Sequence, residues 1–400
     1  MSDWDVIVVG ARCAGAATAC QLARRGHRVL LLDKARFPSE IPHGHFIHWC
    51  GPRRLQSWGL LERVTRSNCP PVSRMISDLG DYALRASDLV VDGVAWGYAP
   101  RRKVIDQILI DAAIEAGAEF RDGFSVEGFL SDAGRIAGVR GRHRGGSLEL
   151  RAKLTIGADG RSSLLARHVA APEYHVAPAK VCYYFSYWAD VAHSGFEVYQ
   201  RGRRVLLAHP TNDGLFTVFA GWPVAEHATL REDVQGAFDE ALARVPELAE
   251  RVRAGRRVER LYGAVHLPNF FRQASGEGWA LVGDAGHHQD PYLALGISDA
   301  LRDAQFLAED AHRGLAGEAQ LDDALVDYGR RRDAAALPRY QLNLKLAELG
   351  EPSPEQRAMR AAVRDRPEDA RQYVLALFGL VPREQFFNPA NLERLGLGPR

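Results

Sequence analysis

Cysteine is scarce in this 400-residue chain. Its five cysteines, Cys13, Cys20, Cys50, Cys69 and Cys182, are odd in number, scattered and without a C-x-x-C pair. That excludes a disulfide framework and a zinc ribbon. An excess of one charge is also missing: 51 lysines and arginines face 50 acidic residues, for a formal net charge of +1. No global field is available to gather nucleic acid or an anionic bilayer, so no nucleic-acid partner is expected. The basic stretch around Arg201, Arg203 and Arg204 reads as a solvated turn between strands. No apolar run reaches the length of a membrane span. The polar start Met1-Ser2-Asp3 lacks the basic and apolar regions of a signal peptide. The expectation is a cytoplasmic protein with no membrane span. Internal repeats and low-complexity tracts are absent, which excludes solenoids and disordered arrays. What remains, at 46% hydrophobic and 25% charged residues, is an ordinary globular composition with room for two domains.

The first 32 residues form a βαβ unit. Asp5 to Val9 is an apolar run, Gly10 to Gly15 a glycine-bounded turn, Ala16 to Arg25 an alanine-rich helix, and Val29 to Leu32 a second apolar strand. Lys103 to Ala116 has helical spacing, and Leu148 to Ile156 reads as a strand leading into Gly157-Ala158-Asp159-Gly160. From Val181 the pattern turns to long β runs: Val181 to Val191, Gly195 to Gln200, Val205 to His209 and Leu215 to Pro223, with a turn at Asn212-Asp213-Gly214. Arg231 to Arg253 reads as an amphipathic helix, Trp279 to Val282 as a buried strand, and Gly296 to His312 as a long helix. The expected fold is α/β: a discontinuous Rossmann-type domain (1–75, 100–172 and 275–330), an inserted antiparallel β domain for substrate (76–99 and 173–274) and a helical C-terminal segment (331–400).

The opening turn carries the first chemistry. In Val6-Ile7-Val8-Val9-Gly10-Ala11-Arg12-Cys13-Ala14-Gly15, a strand delivers the chain to a helix N-terminus, whose free N–H groups and dipole suit a pyrophosphate. The G-x-G-x-x-G pattern has Arg12 at its second glycine. One close backbone approach is lost there, and a guanidinium able to pair with phosphate oxygens is gained. Asp33, beside Lys34, ends the second strand near the distance expected of the acid that accepts from an unphosphorylated adenosine ribose.

Two further stretches stand at strand ends. Gly157-Ala158-Asp159-Gly160-Arg161-Ser162-Ser163 follows the middle strand. Trp279-Ala280-Leu281-Val282-Gly283-Asp284-Ala285 runs on into Asp290-Pro291 and Gly296-Ile297. In this order the chain resembles the FAD-dependent monooxygenases of the para-hydroxybenzoate hydroxylase type, with their geranylgeranyl reductase and flavin halogenase relatives. The resemblance covers roughly the first 170 residues and Trp279 to about Asp310. It implies FAD as cofactor, with Gly10, Arg12, Ala14, Gly15, Asp33 and Lys34 at the adenosine and pyrophosphate. Asp159 and Gly160 would lie near FAD and the nicotinamide route, and Asp284 would accept from the ribityl chain. Pro291, Gly296 and Ile297 would stand at the pyrimidine edge of the flavin. Arg102, at the start of the middle helix, falls where relatives place a cofactor-binding polar residue.

The resemblance implies monooxygenation with O2, using NADH or NADPH as a transient reductant. The alternative is oxygen-independent reduction or dehydrogenation of carbon–carbon bonds, as in the geranylgeranyl reductases. Halogenation is disfavoured because neither the W-x-W-x-I-P motif nor its lysine-bearing segment is present, and a non-catalytic flavoprotein leaves the β insertion without a purpose. Tyr183, Phe185 and Tyr187 share one face of their strand and can line a pocket for a small aromatic or polyketide-like metabolite, or simply pack the sheet. His45 and His48, after the first βαβ, are candidate bases near pH 7. They lack the companion ligands of a metal site, so no metal is expected. His287 and His288 read as residues that shape the loop after Asp284.

Overall fold

The computed structural model describes residues 3–398; the outermost ends of the expected first and last segments lie outside them. Five strands pair in parallel in the order Trp279–Leu281, Gly146–Gly157, Trp4–Val9, Val29–Leu32 and Glu119–Arg121. The alternation of side chains divides these strands between two cores. Val6, Val8, Val29 and Leu31 pack with Ala16, Ala19, Leu109, Ala304 and Leu307, from the helices Cys13–Ala23, Arg102–Glu115 and Gly296–Leu315. Ile7, Val9, Leu30 and Leu32 face Phe124, Phe129, Val139 and Leu150 on the other side. A parallel sheet covered on both faces needs apolar residues at every central position, which is why Val6–Val9 and Val29–Leu32 read as unbroken apolar runs.

The strand Gly146–Gly157 serves two sheets. Its first half closes an antiparallel meander with Ser125–Asp132 and Arg135–His143, and its second half joins the parallel sheet. Its last residues lead directly into Ala158-Asp159-Gly160.

A second large sheet is built from the β-rich stretch. Val181–Ala189 pairs antiparallel with Phe216–Pro223, which pairs with Arg204–Pro210, which pairs with Phe196–Arg201. Met75–Asp78 adds in parallel to Phe196–Arg201, and Ala83–Ala86 extends the edge. The sheet is therefore mixed at one pairing, where antiparallel strands were expected throughout. One face, through Cys182, Trp188, Leu206, Val218 and Trp222, is covered by helices carrying Phe238, Leu242 and Leu248. The single helix expected over Arg231 to Arg253 is two, Val234–Ala243 and Pro246–Ala254. Pro246 lacks an N–H and holds Val245 in an extended conformation, so it ends one helix and opens the next. After Gly296–Leu315 comes a helix over Leu321–Leu346, then four shorter ones. Among the described residues no helix is long and apolar enough to cross a membrane.

Candidate functional site

The strand Trp4–Val9 ends at Gly10, which has φ +105°, and a Cβ there would sit 2.4 Å from the carbonyl oxygen of Ala158. A Cβ on Gly15 would fall 1.8 Å from the carbonyl oxygen of Gly10. These two positions admit only glycine, and they press the opening turn, the first helix and the Ala158-Asp159 segment together. No side chain caps the helix Cys13–Ala23, which leaves its N-terminal dipole for a ligand. Asp33 fixes the turn from the second strand: its two carboxylate oxygens accept from the backbone N–H of Ala11 and of Ala35, both at 2.8 Å. A carboxylate has about four lone-pair sites, so acceptor capacity for a ribose hydroxyl remains.

Arg12, at the irregular glycine position, is anchored. Its guanidinium pairs with Asp106 at 2.8 Å, donates to Ser39 Oγ at 3.1 Å and lies over the Phe37 ring. Asp106, fully buried on the middle helix, also accepts from Arg102 at 3.1 Å and 3.2 Å and from the Cys13 thiol at 3.1 Å. That thiol is pushed far up by burial and by Asp106, so it stays protonated as a donor. One buried carboxylate thus holds two arginines at the cavity wall. Asp106 belongs to no sequence motif; its only signal is an acid four residues after Arg102 among apolar helix positions. Arg101, the neighbour of Arg102, turns elsewhere and pairs with Glu259 and Glu40.

These elements wall one continuous cavity of about 1270 Å³. Gly10, Arg12, Ala14, Asp33, Lys34, Arg102, Asp159, Gly160, Asp284, Pro291, Gly296 and Ile297 all line it, whereas Gly15 acts from behind by packing. Asp159 accepts from the Leu164 N–H through Oδ2, at 2.6 Å, and its buried Oδ1 has no partner. Burial raises its carboxyl above the ordinary range. Asp284 is exposed on the wall at the end of the Trp279–Leu281 strand. The 20-residue helix Gly296–Leu315 aims its N-terminus at the same space. A glycine-only turn, an uncapped helix start, two carboxylates that can take hydroxyls and a second helix N-terminus together fit an extended dinucleotide.

Beyond them the cavity becomes aromatic. Tyr183 and Phe185 line it together with Phe196, Leu207, His209 and Phe219. Phe185 and Phe219 stack at 4.5 Å between centroids. Tyr187, on the same strand face, stands outside the lining and donates or accepts behind it with His45. The two candidate histidines separate. His45 lines the cavity; its Nδ1 faces the carbonyl of Ala99 at 3.0 Å and its Nε2 the Tyr187 hydroxyl at 3.1 Å. A carbonyl only accepts, so Nδ1 carries the proton and Nε2 accepts from Tyr187. His48 does not line the cavity. Its Nε2 donates to the Leu293 carbonyl at 2.7 Å, and its ring packs on Trp96 and Phe378. Burial drives His45 well below its usual range and holds His48 down to about 4. Both therefore stay neutral at pH 7, and titration near neutrality, expected of exposed imidazoles, is lost to desolvation. His287 and His288 form a short strand pairing with Phe270 and Phe271, and both also touch the cavity. Among the described residues no group of three or more His, Cys, Asp or Glu is placed to hold a metal ion.

Known proteins resemble this chain in sequence and in fold. The FAD binding domain family matches residues 3–338. A digeranylgeranylglycerophospholipid reductase of Methanococcoides burtonii is 27% identical over 342 residues, which span 82% of this chain and 79% of that protein. Among solved structures, the myxobacterial chondrochloren halogenase CndH superposes with a TM-score of 0.80 at 20% identity, over 97% of this chain and 92% of that one. PqsL of Pseudomonas aeruginosa, solved in complex with 2-aminobenzoylacetate, gives a TM-score of 0.72 at 23% identity, over 92% of this chain and 98% of that one. The last two likenesses concern the fold. Taken with the dinucleotide-shaped groove, the match over residues 3–338 places the chain in the FAD binding domain family.

Proposed function

We propose that this protein is an FAD-dependent monooxygenase that uses NADH or NADPH and O2 to oxygenate a small aromatic or polyketide-like metabolite. The observation that carries this reading is the aromatic compartment of Phe185, Phe219, Phe196, Leu207 and His209, which opens directly into the cofactor groove. Single-ligand pockets run to roughly 300–1,000 Å³; at about 1270 Å³ the cavity exceeds that range and leaves room for a second molecule beside a dinucleotide. When bound, FAD supplies the electron transfer and the activation of oxygen. The protein's part is to bind and orient. Asp33 and the helix start at Cys13 hold the adenosine end, Asp284 the polyol, and the Gly296 helix start favours negative charge at the flavin edge. The stacked Phe185–Phe219 wall offers flat apolar surface to a planar ring and keeps water from it.

A second reading, oxygen-independent reduction of a carbon–carbon double bond, is favoured by the sequence relatives named as digeranylgeranylglycerophospholipid reductases. One experiment separates the two. The purified chain is loaded with FAD, and NADH and NADPH oxidation is followed with and without oxygen across hydroxyaromatics, polyketides and isoprenoid lipids, with products weighed. Oxygen-dependent turnover and a product heavier by one oxygen atom are expected. Oxygen-independent turnover and a product heavier by two hydrogens would transfer the protein to the reductase reading, and failure to bind FAD would sink both.

A further inference from the structure

The β sheet sends one imidazole into the aromatic compartment. Alternate side chains of the strand Arg204–Pro210 face opposite ways, so Val205, Leu207 and His209 share the face of Phe219 and Phe185, which lie across from Leu207 on the next two strands. Two aliphatic residues on that face lead to a third apolar position, yet histidine stands there, 2% exposed. Its ring is held on four sides. It stacks on Phe196 at 6.1 Å between centroids, tilts against Phe46 at 5.2 Å and Phe219 at 5.9 Å, and meets His45 edge-on at 5.4 Å. Nδ1 lies 3.3 Å from the Pro210 carbonyl, which only accepts, so Nδ1 carries the proton. Nε2 has no partner among the described residues and is not sealed into the wall, which leaves its lone pair to the cavity. His45, on the same wall, differs in having both nitrogens bonded.

Packing alone does not account for a histidine here. Phenylalanine or leucine would fill the same position without taking a polar ring out of water. The charges around the cavity are also unevenly placed. The lining cations Arg12, Lys34, Arg102, Arg161 and Arg167 all belong to the cofactor-binding segments, and the lining side chains contributed by the β sheet include none. Burial pushes the His209 imidazole down to about 4, opposed only by the Pro210 carbonyl, and no charged side chain takes part. The ring is thus a neutral acceptor at pH 7. A lining acid, Asp290, accepts from Tyr183 and adds repulsion for an anion.

We infer that His209 is the specificity-determining residue of this compartment: its Nε2 accepts from a hydroxyl or N–H on the rim of a neutral, planar substrate, and a carboxylate is turned away. A carboxylate would set its oxygens against the Nε2 lone pair and leave its charge without a cation in a buried wall. A molecule with no donor would leave Nε2 desolvated and unpaired, which selects against it in turn. The inference deepens, and rests on, the reading of the aromatic compartment as the substrate site.

The test is calorimetric titration at pH 7 of the FAD-loaded full chain with three probes of one ring system: naphthol, its methyl ether and naphthoate. Naphthol should bind about 10-fold tighter than the ether, the difference made by one buried hydrogen bond, and naphthoate should bind weakest. His209→Phe should bind naphthol and ether alike, with affinity for the ether kept. His209→Gln, whose side-chain oxygen can stand in for Nε2, should restore part of the preference. A preference for naphthol that survives in H209F, an equal loss for naphthol and ether, or naphthoate bound as tightly as naphthol overturns the inference, and so does a wild type that binds none of the three. Should H209F not fold, nitrogen NMR of the wild type labelled at histidine decides. One unprotonated Nε2 signal, missing from H209Q, should shift with naphthol and stay in place with the ether; a signal that naphthol does not move is a refutation. No turnover enters these measurements. Selective binding by a chain without oxygen-dependent turnover leaves the His209 assignment standing and removes the monooxygenase reading alone, whereas oxygen-dependent turnover of a carboxylate that has no donor does the reverse.

Discussion

Asp290 is buried on the loop before the Gly296–Leu315 helix and accepts from the Tyr183 hydroxyl; Asp290→Asn should make the protein more stable at alkaline pH. A carboxyl at about 6 in the folded chain and at 3.8 in its ordinary state holds its proton more tightly folded than unfolded. Folding therefore takes up protons between those values, and stability falls as pH rises through that window. At 1.36 kcal/mol per pH unit the full penalty is about 3 kcal/mol, complete by about pH 8, and about 1.6 kcal/mol of it is already present at pH 5. Asparagine removes the charge and keeps an acceptor for the Tyr183 hydroxyl, at the loss of roughly 1 kcal/mol of charge-assisted hydrogen bonding. The variant should thus gain about 2 kcal/mol at pH 8, and the gap between variant and wild type should widen by about 1.4 kcal/mol between pH 5 and pH 8. Urea unfolding followed by tryptophan fluorescence at both pH values, with FAD saturating, measures this. A variant less stable at every pH, or a gap that does not move with pH, would show that the buried Oδ2 meets a partner or water that relieves its desolvation.

Asp284→Ala should weaken FAD binding about 10- to 100-fold with circular dichroism unchanged, because an exposed wall carboxylate contributes charge-assisted hydrogen bonds and little packing; flavin fluorescence titration reads it. Asp106→Ala should destabilise the chain by about 3–5 kcal/mol, since Arg102 and Arg12 lose their shared counterion in a buried setting, and thermal melts of the FAD-free chain would check it. Gly15→Ala places a methyl group 1.8 Å from the Gly10 carbonyl oxygen, so FAD affinity and melting temperature should fall together. Replacing His48 by phenylalanine should leave the pH dependence of turnover unmoved, because an imidazole held down to about 4 has no charge change near neutrality.

What the sequence disclosed and what it concealed differ in range. The βαβ start was legible because its signals are local: an unbroken apolar strand, glycines that only a tight turn requires, and an acid at the next strand end. Asp33, Asp159 and Asp284 stand at strand termini, where parallel topology gathers side chains at one edge of the sheet, so their convergence on one cavity followed once the strands were recognised. The surroundings of Arg12 and the histidines depend instead on contacts 54 to 250 positions away along the chain. The glycine turn shows a guanidinium able to pair with phosphate, but not that Asp106, 94 residues on, anchors it at the cavity wall. His45 and His48 looked alike in a polar loop, yet Tyr187 and Ala99 enclose one, and Ser298, with its Oγ on the His48 backbone 250 residues away, helps enclose the other.

Asp290 was concealed for a related reason. Before a proline, an aspartate reads as a turn residue, and nothing nearby reveals that a tyrosine from the β sheet donates to its carboxyl while asparagines from two other elements hold its backbone. Desolvation is a property of the assembled surroundings, and it is what separates an ordinary turn aspartate from an acid that can exchange a proton near neutrality. Burial acts with opposite sign on the two kinds of group: it lowers the imidazoles of His45 and His48, each in its own enclosure, and raises the carboxyl of Asp290. In the chamber walled by Phe185, Phe196 and Phe219 that sign keeps His45 neutral at pH 7 and brings Asp290 up to about 6.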